Sequence, residues 1–171
     1  MIGGKCRLNS RVEQRLLNSA TPRSPARMKR MTLQPAVTRE MLEGFLRESP
    51  FQEVLGLRLE TFDVAAQTLT LRSVYGPHVE RSTGTGQYHG GVIASLIDIA
   101  GDFALIAVLG HGVPTINFRV DYLRPAANTD LIAQARVRRA GRTIGVVDID
   151  VFDSDDRLIA LGRGCYGTQP G

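Results

Sequence analysis

The stretch "YHGGVIASLIDIAGDFALIAVLG", residues 88–110, is the most apolar run in the sequence, yet it carries Asp98 and Asp102 near its middle. Its length and composition predict a long helix. Residues 92–109 are just long enough to cross a membrane, but two aspartates and Gly101 near the centre would be costly in hydrocarbon. We therefore expect a helix buried in a folded domain, with a reason to keep its carboxylates.

The segments on either side of this helix alternate apolar and polar residues, which is typical of strands. Two lie before it, "LRLETF" and "QTLTLRS", and four lie after it, "TINFRVDYLRP", "DLIAQARVRR", "RTIGVVDIDVF" and "RLIALGRGCYG". A shorter amphipathic helix is predicted to begin at Thr38. Only one helix is long enough to cover a sheet, which excludes a doubly wound parallel sheet. We predict an α+β protein of the hotdog architecture: an antiparallel sheet of about six strands wrapped around one long helix.

The net charge of +4 comes from the N-terminal end of the chain. Residues 1–35 carry eight Lys or Arg and one acid, Glu13, whereas the rest carries 13 basic and 16 acidic residues. This segment lacks the apolar periodicity of a folded nucleic-acid-binding unit. We predict a basic, disordered extension over residues 1–35 and a hotdog domain over 36–171, with an over-long start or a mitochondrial leader as alternatives.

On a helical wheel of about 100° per residue, the bulky apolar residues of the long helix share one wide face. The opposite side is a narrow stripe of mostly small and acidic residues, which allows a partner helix or a substrate to come close: Gly91, Ala94, Ser95, Asp98, Gly101, Asp102 and Leu105. Asp98 and Asp102 lie one turn apart and repel each other, so burial of both predicts a raised pKa for at least one. The alternative is a polar patch satisfied by Ser, Thr or backbone donors.

The triplet His89-Gly90-Gly91 predicts the start of this helix, where uncovered N–H groups could receive an oxyanion. Gly91 and Asp98 are seven residues apart, or about 10 Å along the helix axis, which is too far for both to contact one carbonyl group. Two antiparallel helices around a two-fold axis would bring Gly91 of one subunit to Asp98 of the other. We therefore predict at least a dimer with two composite sites.

In combination, "YHGGVIASLID", the threonine of "VPTINFRVDYLRPA" and "RVRRAGRTIGVVDIDVFD" resemble the hotdog-fold acyl-CoA thioesterases of the phenylacetate-pathway (PaaI-like) and thioesterase superfamily member 2 type. The resemblance covers roughly residues 50–168. It implies hydrolysis of an acyl-CoA thioester to free acid and CoA by a homodimer or a dimer of dimers. It implies no metal and no cofactor other than the CoA of the substrate.

The resemblance implies that Asp98 is the nucleophile or general base and that the N–H of Gly90 or Gly91 polarises the thioester carbonyl. His89 would help to shape that oxyanion site. Thr115 matches a hydroxyl that orients the attacking water or carboxylate.

Strict alternation along "TINFRVDY" nevertheless places Thr115 on the strand face opposite Phe118 and Tyr122. The resemblance also implies contacts to CoA from Tyr122 and the following hairpin, in which guanidinium groups suit phosphates: Arg139, Ala140, Gly141, Arg142, Thr143 and Ile144. Secondary candidates are Ser95 and Asp102 in the stripe and Thr83, which stands where many relatives carry an asparagine, with Ser82 as its possible replacement.

We predict an acyl-CoA thioesterase with no specific nucleic-acid or membrane partner. The alternatives are a non-catalytic acyl-CoA-binding or sensing module and an acyl thioester hydratase or dehydratase. The three histidines lack the spacing of metal ligands, and two distant cysteines, Cys6 and Cys165, indicate neither a zinc site nor a disulfide framework. A reducing cytoplasm is the expected location, with the mitochondrial matrix as the alternative.

Overall fold

The computed structural model describes residues 37–170. The predicted extension over residues 1–35 lies outside this range. Within residues 37–170, three α-helices precede or interrupt the strands: α1 (Arg39–Glu48), α2 (Pro50–Val54) and α3 (Gly90–Leu109). The six strands are β1 (Leu57–Asp63), β2 (Thr68–Ser73), β3 (Thr115–Tyr122), β4 (Leu131–Ala140), β5 (Ile144–Asp153) and β6 (Leu158–Gly167).

The six strands form one antiparallel sheet in the order β1-β2-β4-β5-β6-β3. α3 packs across one face of this sheet, and α1 begins at Thr38, whose Oγ1 accepts a hydrogen bond from the Met41 N–H. The predicted hotdog architecture, with one long helix inside a curled antiparallel sheet, is confirmed.

α3 begins after His89 and ends at Gly110, which takes the left-handed backbone conformation common after helices. By length and composition it could span a membrane, but here most of the helix is buried against the sheet. The predicted apolar face is confirmed: Ile93, Leu96, Ala100, Phe103 and Ala107 are buried.

The predicted stripe of small residues is shorter than expected. Gly101 is buried against Tyr166 of β6, and Leu105 is buried against Gly145 of β5. The helical wheel gives the direction of each side chain but not how far the sheet wraps around the helix, so the prediction for these two residues was wrong. The exposed part of the stripe lies mainly in the first half of α3, with Asp102 partly exposed in the second half.

Glycines allow β6 to approach the helix closely. A Cβ atom at Gly162 would overlap the side chain of Ile97, and one at Gly164 would overlap the ring of Tyr166. The space kept free at Gly164 is filled by the fully buried Tyr166, whose hydroxyl donates a hydrogen bond to the backbone carbonyl of Asp98 at 3.0 Å.

β3 is an edge strand with a bulge. From Asn117 to Tyr122 it pairs regularly with β6, but Thr115 rather than Ile116 lies opposite Tyr166. The extra residue reverses the alternation at this point, so Thr115 shares a face with Phe118 and Tyr122. The prediction that Thr115 lies on the opposite face was therefore wrong.

The close fit of α3 against β6 predicts different effects for two helical glycines. A Cβ at Gly101 would occupy the position of the Tyr166 hydroxyl, whereas nothing lies within 4 Å of a Cβ at Gly44 in α1. We expect Gly101→Ala to lower the free energy of unfolding by about 1–3 kcal/mol through overpacking. Gly44→Ala should raise it by about 0.5–1 kcal/mol through helix propensity. Urea unfolding of both variants measures these changes, and equal stabilisation by the two would contradict the packing described.

Candidate active site

The start of α3 holds one N–H group that the chain itself uses and one that it does not. The Gly91 N–H donates to Nδ1 of His89 at 2.9 Å, which makes His89 the capping side chain of the helix. This bond requires an unprotonated Nδ1, so neutral His89 carries its proton on Nε2. Among the hydrogen bonds of residues 37–170, none uses the Gly90 N–H. Of the two predicted oxyanion donors, Gly90 is thus the one that remains available in the described chain.

Tyr122 lies over the same helix start. Its hydroxyl donates to the carbonyl of Gly90 at 2.9 Å, and its ring would be in ordinary contact with a Cβ at that position. The position predicted to contact CoA therefore also holds the backbone of the helix terminus in place. Its side chain is half exposed, which leaves part of the ring available to a ligand.

Asp98 lies in the middle of α3, partly exposed, with Thr115 beside it. The Thr115 Oγ1 donates to Oδ1 of Asp98 at 2.9 Å. The bulge in β3 makes this contact possible, because without it Ile116 would occupy that register position. The Tyr166 hydroxyl holds the Asp98 carbonyl from the sheet side. The Oδ1 atom of Asp98 is thus held by a donor, whereas no residue in the described part of the chain donates a hydrogen bond to its other carboxylate oxygen.

The two halves of the predicted site are separate within one chain. Gly90 and Asp98 are eight residues apart on one helix, which corresponds to about 12 Å along its axis. No hydrogen bond between described residues links Asp98 to the helix start. The structure therefore brings Thr115 to Asp98 and Tyr122 to Gly90, but it does not bring Gly90 to Asp98.

Asp102 lies one helical turn after Asp98, and its Oδ1 atom is buried without a hydrogen-bond partner in the described part of the chain. Burial, and then the charge of Asp98, raise the pKa of Asp102 to about 7, while the backbone N–H of Val113 acts in the opposite direction. The expectation that one of the two acids has a raised pKa thus fits Asp102.

The remaining predicted residues make no contact with the Asp98 carboxylate through hydrogen bonds, although Ser95 lies one turn before it on α3. Ser95 donates to the carbonyl of Gly91 within its own helix, and Thr83 is exposed in the turn between Ser82 and Thr85. The Arg139–Ile144 segment forms the β4–β5 hairpin, with both arginines exposed, and Thr168 binds this hairpin through the carbonyls of Gly141 and Thr143. None of them is hydrogen-bonded to Asp98 within one chain.

Sequence reasoning missed Tyr166 as a residue of the site. The signal was present in "GRGCYG", where Gly164 shares a strand face with the tyrosine and leaves room for it. Within residues 37–170, no three His, Cys, Asp or Glu side chains are close enough together to hold a metal ion.

The raised pKa of Asp102 predicts a dependence of stability on pH. Between about pH 4 and 7 the folded protein keeps a proton on Asp102 that the unfolded chain releases, so the contribution of this group to stability falls as the pH rises through that window. The free energy of unfolding of Asp102→Asn, minus that of wild type, should therefore increase by about 2 kcal/mol from pH 5 to pH 8. Urea unfolding at both pH values measures this. Asp155→Asn, in an exposed turn, is the control, and a difference independent of pH would contradict the expectation.

Comparison with known proteins finds a matching family and several relatives. The sequence profile of the Thioesterase superfamily matches residues 85–160, which include α3 and most of β3 to β6. VNG_1336C of Halobacterium salinarum, provisionally named an esterase, is 34% identical over 137 residues, covering 74% of this chain and 89% of that protein. The medium/long-chain acyl-CoA thioesterase YigI of Salmonella typhimurium is 29% identical over 139 residues, covering 72% of this chain and 88% of YigI.

Among solved structures, the PaaI protein of the Escherichia coli phenylacetic acid degradation operon is 25% identical, with a TM-score of 0.67. The match covers 75% of this chain and 91% of PaaI. The resemblance inferred from "YHGGVIASLID" and the later motifs is thereby confirmed. The chain belongs to the thioesterase superfamily.

Proposed function

We propose that this protein hydrolyses acyl-CoA thioesters to free carboxylic acids and CoA at a site shared by two subunits. The observation that carries the proposal is the oriented Asp98 carboxylate, with Thr115 on one oxygen, together with the unused N–H of Gly90 at the start of the same helix. The activity named for YigI supports a CoA thioester as the substrate.

The chemistry requires an acceptor for the carbonyl charge and a base or nucleophile on the other side of the carbonyl carbon. The Gly90 N–H at the positive end of α3 can donate to the thioester oxygen and stabilise the oxyanion. Asp98 either removes a proton from the attacking water or attacks the carbonyl carbon itself, and Thr115 holds the carboxylate for either step. Collapse of the tetrahedral intermediate breaks the carbon–sulfur bond, and the CoA thiolate leaves and takes up a proton. If water attacked, this step gives the free acid. If Asp98 attacked, it leaves a mixed anhydride between the acyl group and Asp98, which a water molecule then hydrolyses to the free acid and the Asp98 carboxylate.

A second subunit supplies the missing half of each site. The separation of about 12 Å between Gly90 and Asp98 prevents one chain from placing both on one carbonyl group. Antiparallel packing of two α3 helices, through the exposed first half of the stripe, would place the oxyanion donor of one subunit opposite Asp98 of the other.

The edge strand β3 supports the same assembly. It pairs only with β6 among the described strands, and its side chains Ile116, Phe118 and Tyr122 are between 40% and 54% exposed. A long edge strand with exposed apolar residues is an aggregation hazard unless another surface covers it. A second copy next to α3 would cover it.

CoA binding is proposed for the exposed side of Tyr122 and for the β4–β5 hairpin. Arg139 and Arg142 are both exposed there, and their guanidinium groups can bind the phosphates of CoA. The reaction as proposed uses water and side chains of the protein.

Release of CoA thiol tests the activity. We expect wild-type protein to release thiol from at least one of phenylacetyl-, hydroxyphenylacetyl-, benzoyl- or straight-chain acyl-CoA, and Asp98→Asn to lower kcat at least about a hundredfold because the base or nucleophile is lost. Asp155→Asn, which removes an equal charge in a distant turn, should match wild type. Binding of CoA without hydrolysis of any thioester would instead indicate a binding module.

Mixing of inactive variants tests the shared site. Proline is tolerated at the first position of a helix, and His89 already has the extended backbone that precedes proline, so Gly90→Pro removes the N–H with little disturbance. We expect it to lower kcat by about 10²–10³, whereas Gly90→Ala keeps the N–H and stays within severalfold of wild type.

When Asp98→Asn and Gly90→Pro subunits are unfolded together and refolded, mixed dimers contain one intact site. About a quarter of the wild-type activity should return, since half of the dimers are mixed and each has one working site of two. Recovery of no activity from a mixture shown to contain mixed dimers would place both groups in a single-chain site.

A further inference from the structure

The structure contains a second carboxyl group that the proposed mechanism does not use. Asp102 follows Asp98 by four residues, so the two side chains lie on the same side of α3 with Cβ atoms about 5–6 Å apart. Among residues 37–170, no Lys, Arg or His side chain forms an ion pair or hydrogen bond with either of them.

The surroundings of the two acids differ. Asp98 is oriented by the Thr115 hydroxyl, whereas Oδ1 of Asp102 is buried and has no partner. The groups that face Asp102 are the Asp98 carboxylate on its own helix, the Val113 N–H before β3 and the phenol of Tyr166 on β6. Since the Tyr166 hydroxyl donates to a backbone carbonyl, it does not compensate the charge of either carboxylate.

Resting on the proposed thioesterase function, we propose that Asp102 is a positioning residue that acts through Asp98, raising the basicity of the Asp98 carboxylate when it loses its own proton. The reasoning is electrostatic. Because its Oδ1 atom is buried without a partner, Asp102 holds its proton more tightly than an exposed carboxyl group does. When Asp102 then ionises, a second negative charge about one helical turn away makes the Asp98 carboxylate a stronger proton acceptor and nucleophile.

The consequence is a step in activity near neutral pH. Burial and the charge of Asp98 place the ionisation of Asp102 at a pH of about 7. Below this pH Asp102 is neutral, and above it Asp102 adds a second negative charge beside Asp98. The second negative charge beside Asp98 should raise kcat by about three- to tenfold, because proton transfer responds only partly to the basicity of the acceptor.

The first test is the pH dependence of kcat between pH 5.5 and 8.5 for wild type, Asp102→Asn and Asp155→Asn. We expect wild type and Asp155→Asn to show the three- to tenfold rise with a midpoint near pH 7, and Asp102→Asn to stay at the acid plateau of wild type. A folded Asp102→Asn protein that keeps the rise with the same midpoint would overturn the proposal and assign the step to another group, such as His89. Loss of all activity at every pH in this folded variant would overturn it too.

The second test does not depend on activity or on the folding of Asp102→Asn. NMR of ¹³C-labelled aspartate carboxyl groups in wild type should show one group that titrates with a midpoint near 7. In Asp98→Asn this midpoint should move down, because the neighbouring negative charge is gone. Absence of an aspartate titrating above about pH 6 in wild type, or an unchanged midpoint in Asp98→Asn, would contradict the coupling. If wild type hydrolyses no thioester, the proposed function fails, while this titration still decides whether Asp98 and Asp102 are coupled.

Discussion

The close packing of α3 against β6 is the constraint on which the rest of the site depends. Gly164 leaves room for Tyr166 between strand and helix, and Gly162 leaves room for Ile97 of the helix. The Tyr166 hydroxyl holds the carbonyl of Asp98. The resulting distance between helix and sheet places the Asp98 carboxylate within hydrogen-bonding reach of Thr115 on β3. A larger residue in β6 would lift the helix and separate the carboxylate from its hydroxyl partner.

The same packing explains why a single subunit is chemically incomplete. The sheet covers most of α3 from Ile99 onward, so that the open face lies mainly in the first half of the helix. This open face includes the capped terminus with its unused Gly90 N–H at one end and Asp98 at the other. The helix start offers the Gly90 N–H but no carboxylate, and the middle of the helix offers the Asp98 carboxylate but no free N–H. The length of helix between them keeps the two groups apart. Association of two such faces is the simplest arrangement that unites donor and carboxylate.

The fold and part of the site could be predicted from the sequence because they depend on local patterns. Alternation of period two defined the six strands, and one long apolar run defined the central helix. His89, Gly90 and Asp98 followed from the spacing of polar residues in an apolar segment. The errors concern long-range geometry. Alternation alone cannot reveal a bulge, and it therefore predicted the wrong strand face for Thr115. A helical wheel cannot show that β5 and β6 cover Leu105 and Gly101.

The bulge in β3 also makes two features of the strand independent of each other: which residues after the bulge face the helix, and which residue before it lies beside Asp98. Beyond it, residues 117–122 keep the alternation that places Val120 and Tyr122 toward the helix. Before it, the chain is free to present a hydroxyl at the register position opposite Tyr166. In a regular strand of the same sequence, Ile116 would lie opposite Tyr166 and Asp98 would lose its hydroxyl partner. The position of one unpaired residue in an edge strand thus decides whether the carboxylate is oriented, while the rest of the sheet pairing stays the same.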